Sequence, residues 1–390
     1  MVEKKQLMVP HTYYICWYIS DEDKETFKGN VTGVLKMKYV VEQMQASGVS
    51  PYIVSLAQQR SGGFYCSQRK KIQNGQVPLM YLAGFNGMGT LGRIFNNLIK
   101  LIELFFLLVF KVKSAEKVVL YHNYPQTRFV SLIKFMIRAD VIIEVEELYG
   151  YSPTADMPWV GKEIKAIKSM DAFICVNDGM PRLLGLQGGS YVVNYGAGII
   201  PARTIERRND GKIHVVYAGT IEAYKKGAIT AVESARYLSN DYVMHIIGFG
   251  DEENVRLLRQ RVEEVNHSMK REVVVYDGYY SGEALDAYLF SCHIGLSSNV
   301  MRPNFANNSF PSKVITYMCH DLSVVLGYAE AFYGVPMSEG WTFYHEFTPE
   351  KIAEAIMAAR VMPEGYYHAR IHEMNADLSQ FLQSQTYMAR

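Results

Sequence analysis

Cysteine is scarce in this sequence and never paired. Cys16, Cys66, Cys175, Cys292 and Cys319 lie far apart, with no CxxC and no zinc-like spacing, which excludes a disulfide scaffold and a zinc module and fits buried free thiols of a cytosolic protein. A surplus of charge is missing too. With 40 Lys and Arg against 39 Asp and Glu, the formal net charge is +1, so nothing marks a polyanion binder and no nucleic-acid partner is expected. Met1–Pro10 lacks the apolar core of a signal peptide. No apolar run reaches the roughly 20 residues that a membrane span needs, and internal repeats and low-complexity stretches are absent.

What is present suits large cores. Of 390 residues, 49% are apolar, and the length is long for one core and comfortable for two. Short apolar runs at Tyr13–Ile19, Tyr52–Leu56, Leu79–Leu82, Lys117–Tyr121, Val141–Val145, Ala172–Val176 and Tyr191–Val193 read as strands separated by helix-compatible stretches. The same alternation resumes at Val215–Ala218, Val243–Gly250, Val273–Gly278 and His293–Ser297. Each half is therefore α/β and doubly wound. The polar stretch Arg203–Gly211 divides them, giving a first domain over 1–202, a second over 212–365, and a last helix, about 366–390, that packs back on the first. The most apolar segment, 91–113, has Leu104–Phe110 uninterrupted, with Arg93, Lys100, Lys111 and Lys113 around it. Packing on the N-terminal sheet is the expected place for such a run, with peripheral contact at a membrane interface as the alternative.

Three loops carry the chemistry. The strand ending at Ser297 leads through an Asn-rich loop to Ser309, Phe310, Pro311, Ser312 and Lys313, where Ser309 reads as an N-cap and Pro311 as a first-turn residue. An ordinary capped helix would look similar. A second loop, Gly219–Gly227, joins a strand to a helix and contains Thr220, Lys225 and Lys226, so two helix starts with lysines offer themselves to phosphate groups. In the first half, Gly29–Gly33 precedes a helix at about Val34–Ala46, and Gly33 would let backbone approach a ligand across the cleft. His122 and Asn123 end one strand and Glu144, Glu146 and Glu147 crowd the next, placing them where an open α/β sheet binds ligands. His122 and Glu146 are the candidates there for chemistry.

Ala218–Gly227, Ile247–Gly250, Tyr276–Gly278 and above all Asn308–Met318 (NSFPSKVITYM) resemble the donor-nucleotide domain of two-Rossmann (GT-B) glycosyltransferases, especially the retaining family 4 enzymes of the PSK-motif subgroup. Val193–Gly198 looks like that family's approach to the interdomain linker. The resemblance implies two Rossmann-like domains facing a cleft, and retaining transfer from a nucleoside diphosphate sugar to a glycan or lipid-linked acceptor. It also implies that no metal or cofactor takes part beyond the nucleotide-sugar substrate, in surface polysaccharide synthesis, in the cytoplasm or at the inner face of the membrane. By the same resemblance Lys226 is the lysine of a phosphate clamp whose arginine is here Thr220. The family's two glutamates, eight positions apart, correspond to Asn308, beside the transferred sugar, and Thr316, on the nucleotide ribose. Asp21-Glu22-Asp23 looks like a DxD metal motif but comes too early for any βαβ unit to precede it, and reads as a solvated acidic loop. A second function class stays open: a GT-B-shaped protein without catalysis, serving as a sugar-nucleotide sensor or accessory subunit.

Overall fold

The computed structural model describes residues 10–29, 31–73, 75–151, 156–203, 205–222, 226–298 and 302–387. Two large sheets organise them, beside two short two-stranded ones. In the first, the strands run in the spatial order Tyr191–Val193, Ala172–Cys175, Asp140–Val145, Lys117–Tyr121, His11–Cys16, Ser50–Ser55, Val77–Tyr81, Gln68–Ile72, all parallel except the last. Their apolar runs are nearly continuous because helices cover both faces. Alternation along the strands sorts Ile15, Val118, Leu120, Val141 and Ile143 to one core and Tyr14, Val119, Ile142 and Ile174 to the other.

The second sheet is wholly parallel, in the order Val274–Gly278, Tyr242–Ile247, Ile213–Ala218, Ile294–Ser297, Ser323–Gly327, Thr342–Tyr344. Numbered along the chain this is 3-2-1-4-5-6, the Rossmann order, and its switch point lies between Ile213–Ala218 and Ile294–Ser297. The chain passes between sheets from Val193 to Ile213. The final helix, His368–Tyr387, then spans both domains: Ile371 and Met374 enter the second core, Leu378, Phe381 and Leu382 the first.

Several expectations need correction. The first long helix starts at Val31, so Gly33 lies in its first turn and not in a preceding loop; the cost of one helical glycine, about 1 kcal/mol, is small against burial of Met37, Val40, Val41 and Met44. Cys66 is exposed, unlike the other four cysteines. Gln68–Ile72 is a strand despite its charge, because as an antiparallel edge it buries only Ile72.

The largest correction concerns 91–113. The helix Gly89–Phe106 buries Gly92, Asn96, Lys100 and Leu104, four residues at four-residue spacing, and so turns its polar stripe inward. Asn96 Oδ1 accepts from Phe85 N at 3.0 Å, while Lys100 Nζ donates to Leu56 O and, at 3.0 Å, to Ala57 O. Burial pushes the Lys100 amine down to about 7. These polar anchors fix the helix's rotation, leaving Leu91 83% and Phe106 56% exposed, with Phe110 beyond it at 65%. No helix among the described residues is long and apolar enough to cross a membrane.

Candidate functional site

The switch point of the second sheet gathers three loops. Strand Ile213–Ala218 ends at Gly219, whose N–H donates to Ile247 O at 3.0 Å. A side chain at Gly219 would overlap the ammonium end of Lys313, so glycine lets that end lie against the loop backbone. The Lys313 ammonium sits 4.0 Å from the centre of the Tyr217 ring, whose hydroxyl donates to Thr220 O at 3.2 Å. Gly227 opens the helix Gly227–Ser234 under equal crowding: a Cβ there would stand 2.5 Å from Ser298 O and 3.0 Å from Tyr217 Oη. Lys226, exposed and left-handed at φ 53°, takes the N-cap position of that helix. Gly219, Thr220, Gly227 and Lys313 thus pack around one aromatic ring, with Lys226 exposed at the adjoining helix N-terminus, where positive potential is concentrated. Lys225 lies outside the described residues.

The second helix start departs from expectation. The helix is Lys313–Cys319, and Ser312 holds its N-cap position without a side-chain bond. Ser309 is not the cap: its hydroxyl donates to Phe305 O at 2.8 Å, and its backbone bridges to Glu147 of the first domain. Pro311 instead closes a turn, its carbonyl accepting from Val314 N at 2.9 Å. Phe310 packs against Tyr195 and Phe332, with ring centres 5.3 and 5.2 Å apart, joining the cores of both domains. Asn308 is buried, with Nδ2 donating to Asn304 O at 2.7 Å. Thr316 donates to Ser312 O at 3.3 Å, within its own helix.

No family model matches the chain, and no curated protein matches it in sequence. Solved structures do match along almost its whole length. A UDP-forming α,α-trehalose-phosphate synthase from Burkholderia xenovorans superposes with a TM-score of 0.66 over 97% of both chains at 12% identity. Anabaena HepE in complex with UDP and glucose does so with a TM-score of 0.57 over 96% of this chain and 94% of its own, at 9% identity. The chain has the GT-B fold. Its two sheets present their C-terminal strand ends to one GT-B cleft, closed on one side where Glu147 and Leu148 meet Ser309 and Asn308.

On the first domain's side of the GT-B cleft, the sequence candidates separate. His122 is buried at 1% exposure, with Nδ1 at 2.7 Å from Thr127 Oγ1 and Nε2 at 2.9 Å from Glu163 Oε1. Glu163 also accepts the N–H groups of Tyr149 and Gly150 at 2.9 and 2.7 Å, so the His122–Glu163 pair shapes the turn after Glu147. Glu146 is better placed for a ligand, being partly exposed with Oε1 3.4 Å from Lys36 Nζ. Lys36 also lies 4.0 Å from Glu144 Oε1 and donates to Asn194 Oδ1. Tyr14 completes the cluster, donating to Glu144 Oε2 at 2.6 Å.

Burial, then the neighbouring Glu146, push the Glu144 carboxyl up to about 8, against the opposing pull of Lys36 and Tyr14. The folded protein therefore keeps a proton that the unfolded chain, with an ordinary value of 4.5, has already released. Folding stability should fall as pH rises through that window. Glu144→Gln is expected to flatten the decline, measured as urea midpoints at intervals across it.

Lys36 escaped the sequence reading, yet it left a trace. It shares a helix face with Val40 and Met44 at four-residue spacing, a lone charge on a buried stripe. Asp21 and Asp23 are taken by lysines: Asp21 by Lys24 and Lys38, both at 2.7 Å, and Asp23 by Lys70 at 2.6 Å.

Proposed function

We propose that this chain transfers a sugar from a nucleoside diphosphate sugar to a hydroxyl group of a glycan or lipid-linked acceptor, with retention, without a metal, in surface polysaccharide synthesis. The observation that carries this is the packing of Gly219, Gly227 and Lys313 around Tyr217 at the switch point of the second sheet. Trehalose-phosphate synthase with glucose-6-phosphate and HepE with UDP and glucose offer precedents for sugar and nucleotide binding on this fold. In the reaction, the bond from the anomeric carbon to the diphosphate oxygen breaks and its electron pair departs with the diphosphate. The acceptor oxygen forms the new bond and passes its proton to the oxygen of the departing diphosphate. Charge grows on the leaving diphosphate, where Lys226, Lys313 and the N-terminus of Gly227–Ser234 supply a positive field. Glu146, held by the buried Lys36, faces the incoming acceptor from the other domain.

Retention and the family 4 assignment rest on the motif resemblance around Asn308–Met318. Membrane contact rests on the exposed apolar residues of Gly89–Phe106 and its continuation. Thr220 and Thr316, where that family has arginine and glutamate, favour the second reading, a sugar-nucleotide-binding accessory protein, to the extent that they weaken the grip on diphosphate and ribose.

Calorimetry with UDP, GDP, ADP and CMP tests nucleotide binding, and Lys226→Ala should weaken it by about 1.5–3 kcal/mol, the range for hydrogen bonds to charged groups. Affinity unchanged by that substitution would move the phosphate site elsewhere. Product anomer assignment by NMR with chelator present tests retention and metal independence; an inverted product, or transfer abolished by chelation, refutes those parts. Donor hydrolysis absent with every nucleotide sugar tried favours the accessory protein.

A further inference from the structure

One side chain of the first domain holds two carbonyl groups of the donor-side loop. Asn177 follows the strand Ala172–Cys175 and is fully buried. Its Oδ1 accepts from the backbone N–H groups of Gly179 and Met180, both at 3.0 Å. Its Nδ2 donates across the cleft to Ser309 O at 2.9 Å and Asn307 O at 3.3 Å. One half of the amide thus meets only donors and the other only acceptors, a demand that aspartate, with no donor, cannot meet and that a single hydroxyl cannot span. The same loop is seated by Leu148 N, which donates to Asn308 O at 3.4 Å, and by Asn307 Oδ1, which accepts from Ala331 N at 3.1 Å. Gly179 leaves room for the approach: a Cβ there would stand 2.8 Å from Asn307 O and 2.9 Å from Ala331 Cβ.

We propose that Asn177 is a positioning residue that locks the loop 307–309 when the two domains close, and that opening the cleft means breaking its two interdomain hydrogen bonds. A buried amide that loses both acceptors is stable only if water replaces them, so the two arrangements of this contact are discrete. The loop runs within four residues from Ser309 to Lys313, and Phe310 between them is wedged among Tyr195, Phe332 and Trp341. Locking the loop therefore fixes where the Lys313 ammonium stands against Gly219 and Tyr217. Only the kinetic part of the test rests on the sugar-transfer reading.

Asn177→Asp keeps the acceptor oxygen for the N–H groups of Gly179 and Met180 but sets its other carboxylate oxygen against two carbonyls, and Gly179→Ala inserts a methyl group between the domains. Both variants of the full chain should raise the radius of gyration in small-angle scattering. Both should also speed amide exchange at Leu148 and over 303–310 by about tenfold or more, as expected when a buried hydrogen bond is lost. With an active donor in hand, kcat should fall about tenfold or more while nucleotide Kd stays within about threefold, the pattern of a lost positioning contact. Unchanged scattering and exchange in both variants would overturn the proposal, as would a lowered melting temperature with an unchanged radius of gyration, which makes Asn177 a local cap only. Should the chain transfer no sugar at all, scattering and exchange still decide.

Discussion

Replacing Phe106, Phe110 and Phe135 together with serine is expected to lower binding to anionic phospholipid vesicles at least about thirtyfold. These rings are 56%, 65% and 86% exposed, and Leu91 and Leu132, on the helices Gly89–Phe106 and Tyr124–Ile133, are 83% and 66% exposed. Leu98, Leu101, Ile102, Phe105, Phe106 and Phe129 line one apolar groove, so the helices Gly89–Phe106 and Tyr124–Ile133 present their apolar side chains together. Arg93, Lys111, Lys113, Arg128 and Arg138 are exposed on the same or flanking segments, and cations beside an apolar surface complement lipid phosphates better than a second copy of that surface. Full burial of a phenylalanine gives about 1.5–3 kcal/mol; interfacial docking buries part of each ring, so about 2–4 kcal/mol in all is a conservative figure. Cosedimentation with vesicles of graded anionic content measures this, and salt should weaken what remains in the variant. A wild type that ignores vesicles and elutes as a dimer, with the variant monomeric, would assign the surface to self-association.

The inward turn of Asn96 and Lys100 shows where sequence patterning reaches its limit. Periodicity locates a stripe, but which stripe faces the sheet is decided here by the carbonyls of Leu56 and Ala57 and the N–H of Phe85, partners far away in sequence. The Rossmann units of the second domain were legible for the opposite reason. Val215–Ala218 and His293–Ser297 are buried on both faces, so apolar runs ending in glycine or polar loops mark them locally, and the loops at their ends hold Gly219, Thr220, Lys226 and Lys313. The local pattern around Ser309 fits a cap, but the contact of its loop with Glu147 and Asn177 accompanies a helix that starts only at Lys313. Asn177 gives almost no local signal. Its four partners come from its own turn and from residues more than a hundred positions away.

Lys313→Ala should lower turnover by about a hundredfold or more while weakening nucleotide binding much less, in contrast to Lys226→Ala. The distinction follows from how each lysine is held. Lys226 is exposed on the loop before its helix, free to follow the diphosphate in both substrate and transition state, so it contributes mainly uniform binding. The ammonium end of Lys313 lies against Gly219 and 4.0 Å from the centre of the Tyr217 ring, so its charge is already in position when the leaving group develops its own. Loss of one preorganised donor of this kind typically costs about 10²–10³ in kcat. Gly219→Ala offers an independent check, because a methyl group there must displace the ammonium end of Lys313 without removing the charge, and it should reproduce part of the kcat loss. Steady-state kinetics on both variants, with nucleotide affinity measured separately, decide the matter. A rise in KM at constant kcat for Lys313→Ala would put that lysine in ground-state binding and shift the catalytic field to Lys226 and the helix it begins.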